Sequence, residues 1–144
     1  MNLVIDASAL LKAYLPDEAS PQALTLMRDY ALGRINLSAP RLLILDLLNA
    51  CWVAARRGII NKQVLEDLVE HLASLQIPWI DVEVSAKEIF RTSTEFGITA
   101  YDAAYIVAAG TAGSQLVTGD KKLYHAVKDK LGFILLLANY TSEM

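Results

Sequence analysis

The sequence predicts an α/β domain with a mainly parallel central sheet flanked by helices, and three observations carry that prediction. Short apolar runs recur at residues 3–6, 115–118 and 133–137, with the length and composition of strands buried on both faces. The stretches between them are longer and show helical spacing of apolar side chains; connections of that length suit parallel rather than hairpin-linked strands. The chain of 144 residues contains no linker, repeat or low-complexity tract, so a single domain over 1–144 with one core is expected.

Taken in order, the first strand ends at Asp6, where Ala7-Ser8-Ala9-Leu10 opens a helix. Ser20-Pro21 offers a cap followed by proline in the first turn of a helix over 20–33. A weaker strand follows at 35–38. Ser38-Ala39-Pro40 repeats the start signal for an apolar helix over 40–57, which Gly58 stops. Further helices fit 62–75, 85–96 (closed by Gly97), 100–112 and 121–130, with a second weak strand at 79–82.

Bulk properties narrow the function. The chain is 54% hydrophobic with a mean hydropathy of +0.34, enough apolar surface to predict a subunit or partner interface. Its single cysteine, Cys51, rules out an internal disulfide and a multi-thiolate zinc site, and in an apolar helix it reads as a small buried hydrophobe of a reducing compartment. The first residues reach an acid at position 6 and carry no basic leader, unlike a signal peptide. The longest apolar stretch, 42–55, is too short for a bilayer and is interrupted by Asp46 and Asn49. A soluble cytoplasmic protein without a membrane partner is expected. With a net charge of −3, total charge announces no nucleic-acid binder, and a polyanion would need local help.

Four acids stand out. Asp6 lies at a strand end, where open α/β sheets place chemistry, and also where a carboxylate caps the next helix. Asp120, in Leu116-Val117-Thr118-Gly119-Asp120-Lys121, repeats that arrangement after a second strand, again with a cap or Asx turn as the structural alternative. Two such ends side by side would crowd like charges, a situation relieved by a cation or a shared proton. Asp102, in Thr99-Ala100-Tyr101-Asp102, fits a capping-box pattern with Asp in place of Glu or Gln. Asp46 has no comfortable structural reading. Its helical neighbours are Leu42, Leu43, Asn49 and Ala50, and burying an unpaired carboxylate there costs roughly several kcal/mol. Asn49, one turn on, is placed to bond it or to share its cavity.

The order and spacing of VIDASALLKAYLPDE, APRLLILDLLNACWVAARRG, GITAYDAAYIVAA and LVTGDKKLYHAV resemble a PIN domain, and more narrowly the VapC-type toxin ribonucleases. The resemblance covers essentially the whole chain. It implies a metal-dependent endoribonuclease, the toxin of a type II toxin–antitoxin system, with Mg²⁺ or Mn²⁺ held by an acidic cluster. Position by position it implies that Asp6 and Asp102 form the principal metal-binding pair, that Asp120 is a further site carboxylate, and that Asp46 is the helix-borne acid. Ser8 and Thr118 match hydroxyls that orient carboxylates or water. At position 46 the family more often has glutamate, one methylene longer, which leaves open whether Asp46 reaches the metal directly or through water. A homodimer, an RNA substrate and a cognate antitoxin inserting near the site are implied as partners.

The chemistry suits the residue types: hard divalent cations take oxygen ligands, and no histidine base is needed because metal-bound water can attack. His71 and His125 read as surface side chains. Lys121 and Lys122 after Asp120, Arg56 and Arg57 at the end of the Asp46 helix, and Lys12 are each either phosphate contacts or ordinary solvated charges. Three other readings compete. One is a catalytically silent PIN scaffold binding RNA or protein. Another is a phosphoryl-transfer α/β protein with Asp6 as nucleophile, receiver-like or of the haloacid-dehalogenase type; the latter normally has a second acid two residues on, where this chain has Ser8. The third is a DNA-directed nuclease, which usually carries extra basic elements that this chain lacks.

Overall fold

The structure is a computed structural model and describes residues 1–58 and 60–142. Its strands are β1 (Asn2–Ile5), β2 (Asn36–Pro40), β3 (Trp79–Ile80), β4 (Gln115–Thr118) and β5 (Ile134–Leu136). They form one sheet in the order β3-β2-β1-β4-β5, and every pairing is parallel. The helices are α1 (Ala7–Leu11), α2 (Ser20–Ala31), α3 (Leu42–Arg57), α4 (Lys62–Ala73), α5 (Ala86–Phe96), α6 (Ala100–Ala112) and α7 (Lys121–Val127), with single 3₁₀ turns at Glu83–Ser85 and Leu137–Asn139.

The apolar runs become the centre of the sheet because only a strand covered on both faces can hide consecutive large side chains. Leu3, Val4 and Ile5 of β1 and Leu116 and Val117 of β4 are wholly inaccessible to solvent. These two strands pair directly, Leu3 with Gln115 through Ile5 with Val117. From β1 the chain builds outward through β2 and β3, then returns to the opposite side of β1 as β4 and β5. The order therefore reverses between β1 and β4, and crevices beyond the carboxyl ends of strands at such a switch point are where open α/β sheets bind ligands. A receiver-like protein has the order 2-1-3-4-5, so this topology removes that alternative.

Helix α6 covers the middle of the sheet, touching β1, β2 and β4 and carrying α5 on its other side. Residues 103–109 of α6 are all buried; a helix apolar all round is a core helix, and its alanines permit close approach to the strands. At the other end of the chain, the buried carboxylate of Asp29 on α2 accepts bonds from Tyr140 Oη at 2.6 Å and Ser142 Oγ at 3.1 Å, with Arg34 at 3.3 Å. That cluster ties the carboxy-terminal segment to α2. The hydroxyl and guanidinium donors hold Asp29 below the usual carboxylate range.

Two start signals are misplaced in the sequence reading. Ser38-Ala39-Pro40 forms the end of β2, with Pro40 in register with Ile80, and α3 begins at Leu42 behind Arg41, which makes no side-chain cap. Proline suits a first helical turn, and at residue 40 its missing N–H falls past the β1–β2 register, which ends at Ser38, so the tripeptide does not distinguish the two. Ser20 is the first helical residue rather than the cap; its hydroxyl serves the preceding turn, donating to Leu15 O at 3.3 Å and accepting from Asp17 N at 3.0 Å. The expected stops stand: Gly58 and Gly97 close α3 and α5 in the left-handed conformation, φ 64° and 65°. Helix α7 ends at Val127, short of the expected 130.

Candidate active site

Asp6 leaves β1 and caps α1. Its Oδ1 accepts from Ala9 N at 2.9 Å and from Ser8 Oγ at 2.7 Å, and its Oδ2 accepts from Thr118 Oγ1 at 2.5 Å. The capping role and the strand-end role, alternatives in the sequence, thus coincide in one residue. The network continues across the switch point: Ser8 Oγ accepts from Gly119 N at 2.9 Å, and Thr118 Oγ1 accepts from Asp120 N at 3.1 Å. Residue 119 has room only for glycine, because an added Cβ would lie 2.9 Å from Ser8 O. Asp6 is 5% exposed; burial raises its pKa to about 6 despite its three donors, and the charge of Asp102 adds to the rise.

Asp120 caps α7, its Oδ1 accepting from Lys122 N at 2.9 Å and Leu123 N at 3.1 Å. Asp102 sits in the first turn of α6, which is capped by the Thr99 hydroxyl accepting from Asp102 N at 3.0 Å. Its carboxyl is pushed up by burial and then by the charge of Asp120; Thr99 lowers it by less, and the charge of Asp46 adds the smallest rise. Half-buried Asp46 projects from α3 and accepts from Tyr105 Oη at 2.8 Å; burial raises it, and the Tyr105 bond offsets part of the rise. The Tyr105 hydroxyl is itself held well above its ordinary range by burial and by Asp46, Asp6 and Asp102.

Asp102 is therefore the electrostatic hub, sensed by Asp6 and sensing Asp46 and Asp120. Sequence reasoning missed Tyr105, which lies three residues beyond Asp102 on the same helix, a spacing that puts both side chains on neighbouring positions of one face. Asn49, by contrast, is exposed, and among the described residues no hydrogen bond joins it to Asp46. His71 and His125 are exposed, His71 meeting the Tyr14 hydroxyl at 3.0 Å. Arg56 and Arg57 end α3 about 15 Å along the axis from Asp46, with Arg56 over the Trp52 ring at 4.9 Å. Lys121 and Lys122 stand beside Asp120.

The donor set is entirely oxygen, as a hard divalent cation requires. Asp6 retains capacity for it, since a carboxylate offers about four acceptor positions and three are taken. Among the described residues no three acidic, histidine or thiolate groups stand close enough together to hold a metal ion as placed; Mg²⁺ itself typically takes one or two carboxylates and keeps several waters.

Fold and site together define an α/β protein with a carboxylate cluster at its strand switch point. The PIN domain family model matches residues 3–129, and the chain belongs to that family. It is 33% identical over 129 residues to "Ribonuclease VapC3" of Pyrobaculum aerophilum, covering 85% of this chain and 92% of the relative. It is 29% identical over 135 residues to "Exonuclease VapC9" of the same organism, covering 90% and 97%. Among solved structures it resembles PAE2754 from Pyrobaculum aerophilum, with a TM-score of 0.68, 26% identity and coverage of 95% and 90%. FitAcB from Neisseria gonorrhoeae shares the fold, with a TM-score of 0.57, 16% identity and coverage of 93% and 95%.

Proposed function

We propose that this PIN domain is a divalent-metal-dependent endoribonuclease, the toxin component of a type II toxin–antitoxin system. The observation that carries the reading is the gathering of Asp6, Asp46, Asp102 and Asp120 around one switch point in a chain whose relatives are named as nucleases. A silent scaffold would have no use for carboxylates that repel one another when no cation is bound.

In this reading Asp6 and Asp102 are the principal pair holding Mg²⁺ or Mn²⁺, and Asp120 and Asp46 are further site carboxylates that act on it directly or through water. The bound ion supplies Lewis acidity and a more acidic water at neutral pH. The chain's own residues do the positioning. Ser8, Thr118 and the Ala9 amide fix both oxygens of Asp6; the α7 amides fix one oxygen of Asp120; Tyr105 fixes one oxygen of Asp46. Lys121 and Lys122, exposed at the start of α7, offer positive charge to the RNA backbone beside an otherwise acidic pocket.

RNA is the substrate and the cytoplasm the compartment of this reading. Exposed apolar side chains support a homodimer and an antitoxin contact: Leu24 and Leu32 at α2, Leu45 and Trp52 on α3. Among the described residues no helix is long and apolar enough to cross a membrane. The name of the VapC9 relative favours a second reading, attack from RNA ends. Thermal unfolding with added Mg²⁺ or Mn²⁺ tests the metal: the parent should gain about 2.7 kcal/mol of stability at a hundred times Kd, and Asp102→Asn should gain far less. Equal stabilisation of both would remove Asp102 from the metal site.

A further inference from the structure

Beside Asp120 the surface opens into a cleft of about 720 Å³ between the segment joining α1 to α2 and the turn joining β4 to α7. Its walls carry Lys12, Gln22, Gly119, Asp120, Lys121 and Lys122. Gln22, on the first turns of α2, is half-buried, and its Oε1 is shielded from solvent without a hydrogen-bond partner. Leaving such an acceptor unsatisfied costs about 1–3 kcal/mol. A half-turn of the terminal amide exchanges its donor and acceptor ends, so either is available to a group lying in the cleft.

Three lysines and three acids share the cleft, Lys12, Lys121 and Lys122 against Asp17, Glu18 and Asp120. Lys12, largely covered, pairs closely with Asp17 at 3.1 Å, whereas Lys121 only approaches exposed Glu18 at 3.8 Å; a bridge of the second kind is weak and yields readily. Among the described residues Lys122 forms no ion pair. Lys122 is therefore the ammonium open to a phosphate, with Lys121 held only loosely beside it, in a cleft that begins at a site carboxylate and ends at an unpartnered amide oxygen. With one end of the amide shielded, the other can make one hydrogen bond to a base edge, as donor or as acceptor according to which end faces the cleft.

Resting on the nuclease reading above, we infer that this cleft is a nucleotide subsite next to the scissile phosphate: the lysines take the neighbouring phosphate, and Gln22 reads the base. RNA leaving the acid cluster toward α2 would meet Asp120, then the lysines, then Gln22. Base preference at one position beside the cut is thus assigned to Gln22.

The test needs no catalysis at its first step. The ¹⁵N-labelled protein is titrated, with chelator present, with inorganic phosphate and with the four ribonucleoside 5′-monophosphates. Phosphate should move the backbone amides of Lys121 and Lys122 only; at least one nucleotide should also move the Gln22 side-chain amide. Cleavage of a randomised RNA pool is then sequenced for the parent and Gln22→Leu, and a preference on the order of tenfold beside the cut should flatten in the variant. Nucleotides that never perturb Gln22, or Asp6-dependent cleavage with the same base preference in Gln22→Leu, would overturn the subsite while leaving the nuclease intact. Nucleotide binding at Gln22 in a protein that cuts no RNA would keep the subsite and remove the nuclease reading. A Gln22 amide that answers only to an antitoxin peptide would assign the cleft to that partner instead.

Discussion

The Tyr105 hydroxyl donates to Asp46 Oδ2 at 2.8 Å, joining α6 to α3 across 59 positions of sequence. Tyr105 is 2% exposed, so its ring is fixed by the core, and the carboxylate it holds has little freedom of its own. A hydrogen bond to a charged group is worth about 1.5–3 kcal/mol. Tyr105→Phe should therefore lower kcat for RNA cleavage roughly tenfold while KM moves little, the mark of a positioning residue. Asp46→Ala should lose activity and Asp46→Glu keep it. An unchanged kcat in Tyr105→Phe would mean that Asp46 needs no orientation.

Asp6 makes metal-free stability depend on pH. Its folded pKa, about 6, lies above the ordinary carboxylate value of 3.8, so between these values the native state binds the extra proton. The contribution is full below about 3.8 and is lost as pH rises through about 6, a difference of about 3 kcal/mol. Asp46 and Asp102 are raised too and act in the same direction. Asp29 is lowered, so its contribution is instead lost as pH falls below 3.8. Urea unfolding in chelator should show the parent more stable near pH 5 than near pH 7.5, with the difference much reduced in Asp6→Asn. A parent whose stability rises across that range would contradict the burial argument.

Gly119 lets the β4 turn lie against Ser8. A Cβ would stand 2.7 Å from Lys12 Cε, which can swing away, but 2.9 Å from Ser8 O, which is backbone and cannot. Gly119→Ala should lower stability by about 1–3 kcal/mol and weaken cleavage by opening the Gly119 N to Ser8 Oγ bond. Wild-type unfolding and cleavage would show that the two segments tolerate separation.

The Asp29 carboxylate is held by Tyr140, Ser142 and Arg34, none of which bonds the four acids among the described residues, and the cluster should separate stability from activity. Tyr140→Phe removes a donor at 2.6 Å from Asp29 and should lower the thermal midpoint by roughly 5 °C with cleavage unaffected at lower temperature. A loss of cleavage without a change in midpoint would tie the carboxy-terminal segment to the active site.

The central strands were legible because consecutive buried residues leave a plain apolar run, and the four acids because each interrupts or ends such a run. Asp46 stood out as a charge among leucines, yet its partner did not: Tyr105 reads as one more apolar helix residue until α3 and α6 are packed together. Asn49, adjacent on the helix, was the nearest available partner by spacing alone, and three-dimensional packing supplied another. Pro40 misled because proline suits both a strand's last position and a helix's first turn. The Asp29 cluster and the Gln22 cleft depend on segments distant in sequence, and no local pattern marks either.

In the nuclease reading the acid cluster hydrolyses internal RNA phosphodiesters with a divalent cation. Incubating a circular RNA, which has no ends, with the purified protein and Mg²⁺ or Mn²⁺ tests it directly. The account predicts linear products that disappear with chelator and in Asp6→Asn. A circle left intact while a linear RNA of the same sequence is degraded would establish the exonuclease reading, and cleavage that persists undiminished in Asp6→Asn would contradict the assignment of the site.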